Sequence, residues 1–258
     1  MAKTHNKQHE DTPMKAGILG TGSIGSAVAT GLARAGYDVT VSRRGEVQSA
    51  SLAAAFPNIT VAENQSVLDQ SEIVFIALNS NVAAAELAKL EYRPDHVMIS
   101  LMAGMELAML GRLVAPAKAE TIMIPFPAIA GGGSPVLVMG EAAPVEKIFG
   151  QTDNIIVVSD HDERNALLAA QAILSPVAVM VSSAADWVAR HGGDAEKAET
   201  FLRQLISSSL SGMPSDDLIK ALNTPDGYNQ RLRLYFEKNG IKDSVSNGLS
   251  ALLSPNVE

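Results

Sequence analysis

One stretch constrains the chain more than any other: Gly20-Thr21-Gly22-Ser23-Ile24-Gly25, set directly after the apolar run Ala16–Leu19. Behind it, apolar residues recur at Ile24, Ala27, Val28, Gly31, Leu32 and Ala35, which is helical spacing. Gly36 stands where helices commonly end, and residues 37–42 read as a second strand. Strand, glycine turn, helix and strand in this order give each glycine a task. Gly20 permits a tight turn, Gly22 lets a pyrophosphate reach the backbone, and Gly25 lets the helix lie close against the sheet. The N–H groups at the helix start, those of Ser23 and Ile24, then face an anion. The alternative is glycines that serve helix–sheet contact alone.

The end of the second strand discriminates between dinucleotides. An NAD site places Asp or Glu there for the ribose 2′-OH. This chain has Ser42-Arg43-Arg44. A carboxylate repels a 2′-phosphate and a guanidinium binds one, so NADP(H) is the expected cofactor. Ligands of open parallel sheets lie beyond the carboxyl ends of the strands. Ala77, Leu78 and Asn79 after one central strand, and Met102 and Ala103 after another, are therefore further expected contacts for the nicotinamide end.

Strand and helix patterns alternate up to residue 160. Strands are expected at 59–62, 73–78, 97–102, 121–124, 136–139 and 155–159, and helices at 45–55, 65–70, 82–90 and 106–114. Beyond residue 160 strand signals stop. Helical patterns cover 162–190, 195–211, 215–222, 229–239 and 244–253, with Pro176 expected to kink the first and free backbone groups near Ala172. The expected fold class is α/β: a Rossmann-type, mostly parallel sheet domain followed by an all-α helical dimerisation domain. Residues 1–13 read as a solvated polar tail, 14–160 as the dinucleotide-binding domain, and 161–258 as the helical dimerisation and substrate domain.

Composition removes several function classes. The 258 residues are 47% apolar and 19% charged, enough for a buried core. A net charge of −8 argues against a nucleic-acid partner. There is no cysteine, which excludes disulfides, a thiolate nucleophile and cysteine-ligated metal, and fits a cytoplasmic protein. His5 and His9 have i, i+4 spacing, but a solvated tail is the expected reading and no metal is assigned. The tail has no apolar run of a secretory leader. Residues 166–189 are long enough to cross a bilayer, yet Gln171, Ser175, Pro176, Ser182, Ser183 and Asp186 interrupt them. They read as a helix buried between two copies of the chain, without a membrane.

Taken together, the segments resemble the pyrroline-5-carboxylate reductase family over nearly all of residues 14–253. The likeness runs through 18–25, the Ser42-Arg43-Arg44 turn, 73–78, and Ile99-Ser100-Leu101-Met102-Ala103-Gly104, which is similar to the family's ISIAAG. It continues in Pro127-Ala128-Ile129-Ala130-Gly131, Thr224-Pro225-Asp226-Gly227 and Phe236-Glu237-Lys238-Asn239-Gly240. The resemblance implies NADPH on the first domain, a homodimer through the second, and a small imine substrate between nicotinamide and helices. Its substrate loops differ here. Only Ser175 and Pro176 remain of the family's SGSGPA, and Tyr228 and Asn229 replace threonines of TSPGGTT, with Thr224 retained. By this likeness Pro176, Thr224 and Asn229 are expected to meet substrate.

Hydride transfer to a protonated imine needs no proton donor, whereas a ketone does. Tyr228 is the candidate donor or substrate anchor, the alternative being an aromatic that fills space at a helix start. Ser175 is either a helix cap, with Pro176 at the first helical position, or a polar pocket residue. No lysine occurs in 162–189, which argues against the β-hydroxyacid dehydrogenase relatives. The function expected is NADPH-dependent reduction of a small C=N, or C=O, compound. The alternatives are a non-catalytic NADP(H)-binding sensor on the same fold and a hydride-transfer protein with a deazaflavin partner.

Overall fold

The computed structural model describes residues 14–253 and divides the chain into two compact units, one through Arg164 and one from Asn165. The first alternates β1 (Ala16–Leu19), α1 (Ser23–Arg34), β2 (Val39–Ser42), α2 (Glu46–Ala55), β3 (Ile59–Ala62), α3 (Asn64–Asp69), β4 (Ile73–Ile76), α4 (Ser80–Leu87) and β5 (Val97–Ser100). It continues with α5 (Leu107–Leu113), β6 (Lys118–Pro125), β7 (Pro135–Gly140), α6 (Ala143–Phe149) and β8 (Asn154–Val158). The helical tail beyond it consists of α7 (His161–Ala170), α8 (Leu174–Arg190), α9 (Ala195–Gly212), α10 (Ser215–Ala221), α11 (Tyr228–Lys238) and α12 (Ile241–Leu253). α7 runs across the division between the units.

The eight strands form one sheet in the order β3-β2-β1-β4-β5-β6-β7-β8, parallel except where β6 meets β7. The sheet is covered on both faces, which is why β1, β2 and β4 are buried at every residue. Alternate residues supply the two cores. Ile18, Phe75 and Ile99 face α1 with Val28 and Leu32, while Leu19, Val74, Ile76 and Met98 meet Leu87 and Leu110 on the other side. Each of these fully buried side chains contributes about 1.5–3 kcal/mol. Phe75 also meets the Phe149 ring edge-on, with 6.1 Å between centroids.

The α/β fold class, with a mostly parallel sheet followed by helices, agrees with the expectation from sequence. Three local features differ from it. α6 has no counterpart there, although Pro144 at its start and buried Val145, Ile148 and Phe149 carry the helical period. α4 begins two residues early because the Asn79 side-chain oxygen Oδ1 accepts the Asn81 N–H at 3.0 Å and caps it. The kink expected at Pro176 takes the form of a 3-10 turn at Gln171–Ile173, three to five residues before it, and the missing Pro176 N–H leaves the Ala172 carbonyl without its helical donor. Ser175 does not cap: α8 begins at Leu174, without a side-chain cap, and both Ser175 and Pro176 lie within its first turn.

Among the described helices, His161–Arg190 taken as one span is long and apolar enough to cross a membrane. Within the second unit Leu174, Val179, Met180, Trp187, Phe201 and Leu232 are exposed. The N-terminal tail, with His5 and His9, lies outside the described residues.

Candidate functional site

The first glycine turn is built so that side chains cannot enter it. Gly20 has φ +101°, and a Cβ there would lie 2.5 Å from the Ala77 carbonyl oxygen. At Gly25 a Cβ would stand 2.0 Å from the Gly20 carbonyl oxygen, so the helix can approach the turn only without one. Gly22 differs: nothing lies within 4 Å of its Cβ position, and the space is open. No side chain caps α1, and no acidic residue occupies its first turn. The amides of Ser23 and Ile24 therefore begin a twelve-residue helix whose positive end is uncompensated, the arrangement an anion fills.

Two hydrogen bonds join this turn to the one after β2. The Gly20 N–H donates to the Ser42 hydroxyl at 2.8 Å, and the Thr21 hydroxyl donates to the Arg44 carbonyl at 2.9 Å. Gly45 follows with φ +97°, and a Cβ there would come 2.7 Å from Thr21 Oγ1. Ser42 is wholly buried, and its side chain supports the glycine turn from behind instead of facing a ligand.

Arg43 and Arg44 point outward, with side chains 59% and 52% exposed. Each has a carboxylate partner that sequence reasoning missed: Arg43 Nε lies 3.3 Å from Glu63, and Arg44 Nη1 lies 3.1 Å from Glu86. Lys89 Nζ shares Glu86 at 3.1 Å. The i, i+3 spacing of Glu86 and Lys89 was visible in sequence, but nothing local tied either to the arginine turn. The Lys89 hydrogen bond, reinforced by the charges of Lys89 and Arg44, holds the Glu86 carboxyl below the usual carboxylate range.

The other expected contacts sit at the same sheet edge, because β1, β4 and β5 are parallel neighbours. The Ala77 N–H donates to the Leu19 carbonyl at 2.8 Å and the Leu101 N–H to Ile76 at 2.9 Å, so the three exit turns are stitched together. Ala77 is half-buried, Leu78 and Met102 are buried, and Asn79 and Ala103 are exposed. The Met102 N–H donates to Ser100 Oγ at 3.1 Å. Asn79 is already engaged as the α4 cap. His161 pairs with Glu106 at 3.0 Å. His96 is buried where β5 begins, at the opposite end of that strand.

Comparison with known proteins agrees with this geometry. Residues 15–104 match the family described as NADP oxidoreductase coenzyme F420-dependent. A glycerol-3-phosphate dehydrogenase [NAD(P)+] of Streptomyces griseus is 30% identical over 161 residues, 56% of this chain, and the chain spans about half (48%) of that relative's length. A pyrroline-5-carboxylate reductase of Coxiella burnetii superposes with a TM-score of 0.77 at 14% identity, covering 92% of this chain and 95% of the other. The pyrroline carboxylate reductase of Plasmodium falciparum, solved with NADP bound, gives 0.73 at 18% identity, covering 93% and 95%. The fold is that of the pyrroline-5-carboxylate reductases. The resemblance seen in sequence thus holds at the level of the fold and extends through the helical unit.

On this reductase fold the residues expected to meet substrate lie in the second unit. Ser175 and Pro176 are exposed in α8. Thr224 precedes α11, and Tyr228 and Asn229 open it. Tyr228 is 89% exposed, so it does not fill space against its own unit. Asn229 lines a groove of about 420 Å³ with Leu222, Leu232, Arg233 and Phe236. No hydrogen bond among the described residues joins the α8 pair to the α11 group.

The loop before α11 is held by a chain of polar contacts. Asp226, at φ +58°, donates its N–H to Gln230 at 2.9 Å, and the Gln230 amide donates to Asn223 at 3.1 Å. Arg233 donates to Asn223 at 2.8 Å and to both Glu237 oxygens at 2.9 Å. Its guanidinium is thus committed to the loop, which leaves little of it for a substrate carboxylate. The hydrogen bonds from Arg233 hold the Glu237 carboxyl below its usual range.

Proposed function

We propose that the chain is an NADPH-dependent reductase that delivers hydride to a small C=N compound, with C=O compounds as poorer substrates. The observation that carries this is the bare, buttressed glycine turn. Gly22 faces open space, the first turn of α1 is uncapped, and Ser42 fixes the turn from behind. These residues fit a pyrophosphate: main-chain N–H groups meet the anion, and no Cβ or carboxylate opposes it. Arg43 and Arg44 supply cations where the 2′-phosphate of NADPH would lie. When bound, the nicotinamide supplies the hydride.

The chain's own residues bind, orient and shield. Ala77, Leu78, Met102 and Ala103 form a small-residue and apolar floor at the carboxyl ends of β4 and β5, suited to a flat ring and its ribose. Of the five expected substrate residues, Tyr228 alone bears an ionisable group. A protonated imine arrives with its proton in place, so a site poor in acids and bases suits C=N better than C=O. The NADP-bound Plasmodium reductase of the same fold supports the cofactor. The exposed apolar residues of α8 support a homodimer through that helix, in a cytoplasmic protein without membrane or nucleic-acid partners.

The test is oxidation of NADPH followed optically with a panel of cyclic imines and small ketoacids. Turnover with one or more imines is the expected result. Tight NADPH binding without turnover on any compound would overturn it in favour of a cofactor-binding sensor, and absorbance change with a deazaflavin would redirect it to that partner. Sedimentation at micromolar concentration tests the dimer, which a stable monomer would exclude.

A further inference from the structure

Two cations from separate elements reach a single oxygen atom. Arg44 Nη1, from the turn after β2, and Lys89 Nζ, from the turn closing α4, each lie 3.1 Å from Glu86 Oε1. They can therefore be no farther apart than twice that distance, and without Glu86 they would repel one another. The three side chains are unequally accessible: Glu86 is 22% exposed, Arg44 52% and Lys89 67%. The carboxylate is the inner member, and the cations are the reachable ones. The main chain of Arg44 is tied to the glycine turn through Thr21, so its guanidinium swings from a fixed pivot beside the pyrophosphate cradle.

We propose that Glu86 is a displaceable counter-ion: the 2′-phosphate of NADPH takes its place on Arg44 and Lys89, making Lys89 a cofactor-binding residue and Glu86 a determinant of cofactor preference. This rests on the assignment of NADPH to the glycine turn. A phosphate dianion brings three oxygens and two charges where one carboxylate oxygen now serves both cations. Each cation then receives its own acceptor, and Glu86 retreats toward solvent. The 2′-hydroxyl of NADH brings no charge and leaves the Glu86 contacts intact. The trio thus holds its cations together and yields them only to the phosphorylated dinucleotide. Arg43 with Glu63 is a looser pair, both partners being largely exposed, and adds a further cation at the rim.

The experiment is calorimetric titration of the full chain with NADPH and with NADH, for wild type, Lys89→Ala and Glu86→Gln, with a thermal melt of each protein to confirm folding. Lys89→Ala is expected to weaken NADPH about tenfold, the value of one charge-assisted contact, while NADH affinity stays the same. Glu86→Gln is expected to tighten NADPH severalfold and leave NADH unchanged, because the competitor is gone and the side-chain shape is kept. An unchanged NADPH-to-NADH ratio in Lys89→Ala, or weaker NADPH binding in Glu86→Gln, would overturn the proposal. Wild-type protein that binds neither dinucleotide would instead remove the cofactor assignment itself, and the proposal with it.

Discussion

The Ser42 hydroxyl, wholly buried at the end of β2, accepts the Gly20 N–H at 2.8 Å and so fixes the first glycine of the turn after β1. Ser42→Ala leaves that N–H buried without an acceptor. The expected loss is about 1–3 kcal/mol of stability, measured by denaturant unfolding, together with weaker NADPH binding. Unchanged values of both would show that the contact is dispensable.

Gly22 and Gly25 separate ligand space from folding space. Gly22→Ala meets nothing within 4 Å, so the melting temperature should hold while NADPH affinity falls about tenfold or more. Gly25→Ala places a Cβ 2.0 Å from a backbone oxygen and should lower both stability and binding. Equal melting losses in the two variants would contradict this division.

Arg43→Ala and Arg44→Ala should each lower the NADPH-to-NADH affinity ratio about tenfold, with NADH binding little changed. The ratio should also shrink as salt is raised, since both side chains are more than half exposed. Titration of both dinucleotides at two ionic strengths checks this.

His96 predicts a pH dependence that has nothing to do with the cofactor. Burial first, and the Arg93 charge second, hold its imidazole below the ordinary histidine value. The unfolded chain binds the proton near pH ~6.5, where the folded chain does not. The stability contribution is complete above that pH and is lost as pH falls through the lower folded value. His96→Asn keeps an acceptor for the Arg93 N–H, now at 3.1 Å from Nδ1, and should flatten the melting curve between neutral and mildly acidic pH. An equally steep fall in the variant would rule out His96 as the source.

Arg233→Ala should loosen the loop at 223–227 by releasing Asn223 and Glu237. A lower melting temperature, with kcat reduced more than KM is raised, is the expected pattern. A higher KM at unchanged stability would instead assign Arg233 to a substrate carboxylate.

The chemistry most legible in sequence was local. Gly20, Gly22 and Gly25 announce a turn because their spacing and flanking apolar runs lie within twenty residues, and the continuous apolar run at β4 announces a central strand. Ser42 was found at its position but not in its orientation: a strand-end serine reads the same whether it faces a ligand or a neighbouring turn. Glu63, Glu86 and Lys89 were invisible because their relation to the arginines is made by strand order, across more than forty residues in the case of Arg44 and Glu86. α6 escaped for a different reason. Seven residues with Pro144 near the start look like a loop until Val145, Ile148 and Phe149 are seen sharing one buried face.

Thr21 and Gly45 bear on redesign. The Thr21 hydroxyl holds the Arg44 carbonyl, and only a residue lacking Cβ passes beneath it at position 45. A transplant of residues 42–46 from a protein of opposite coenzyme taste would therefore carry over half of a hinge without its pin. Grafts that also exchange positions 20 and 21 should seat correctly, and those that do not should misplace even a well-chosen set of charges.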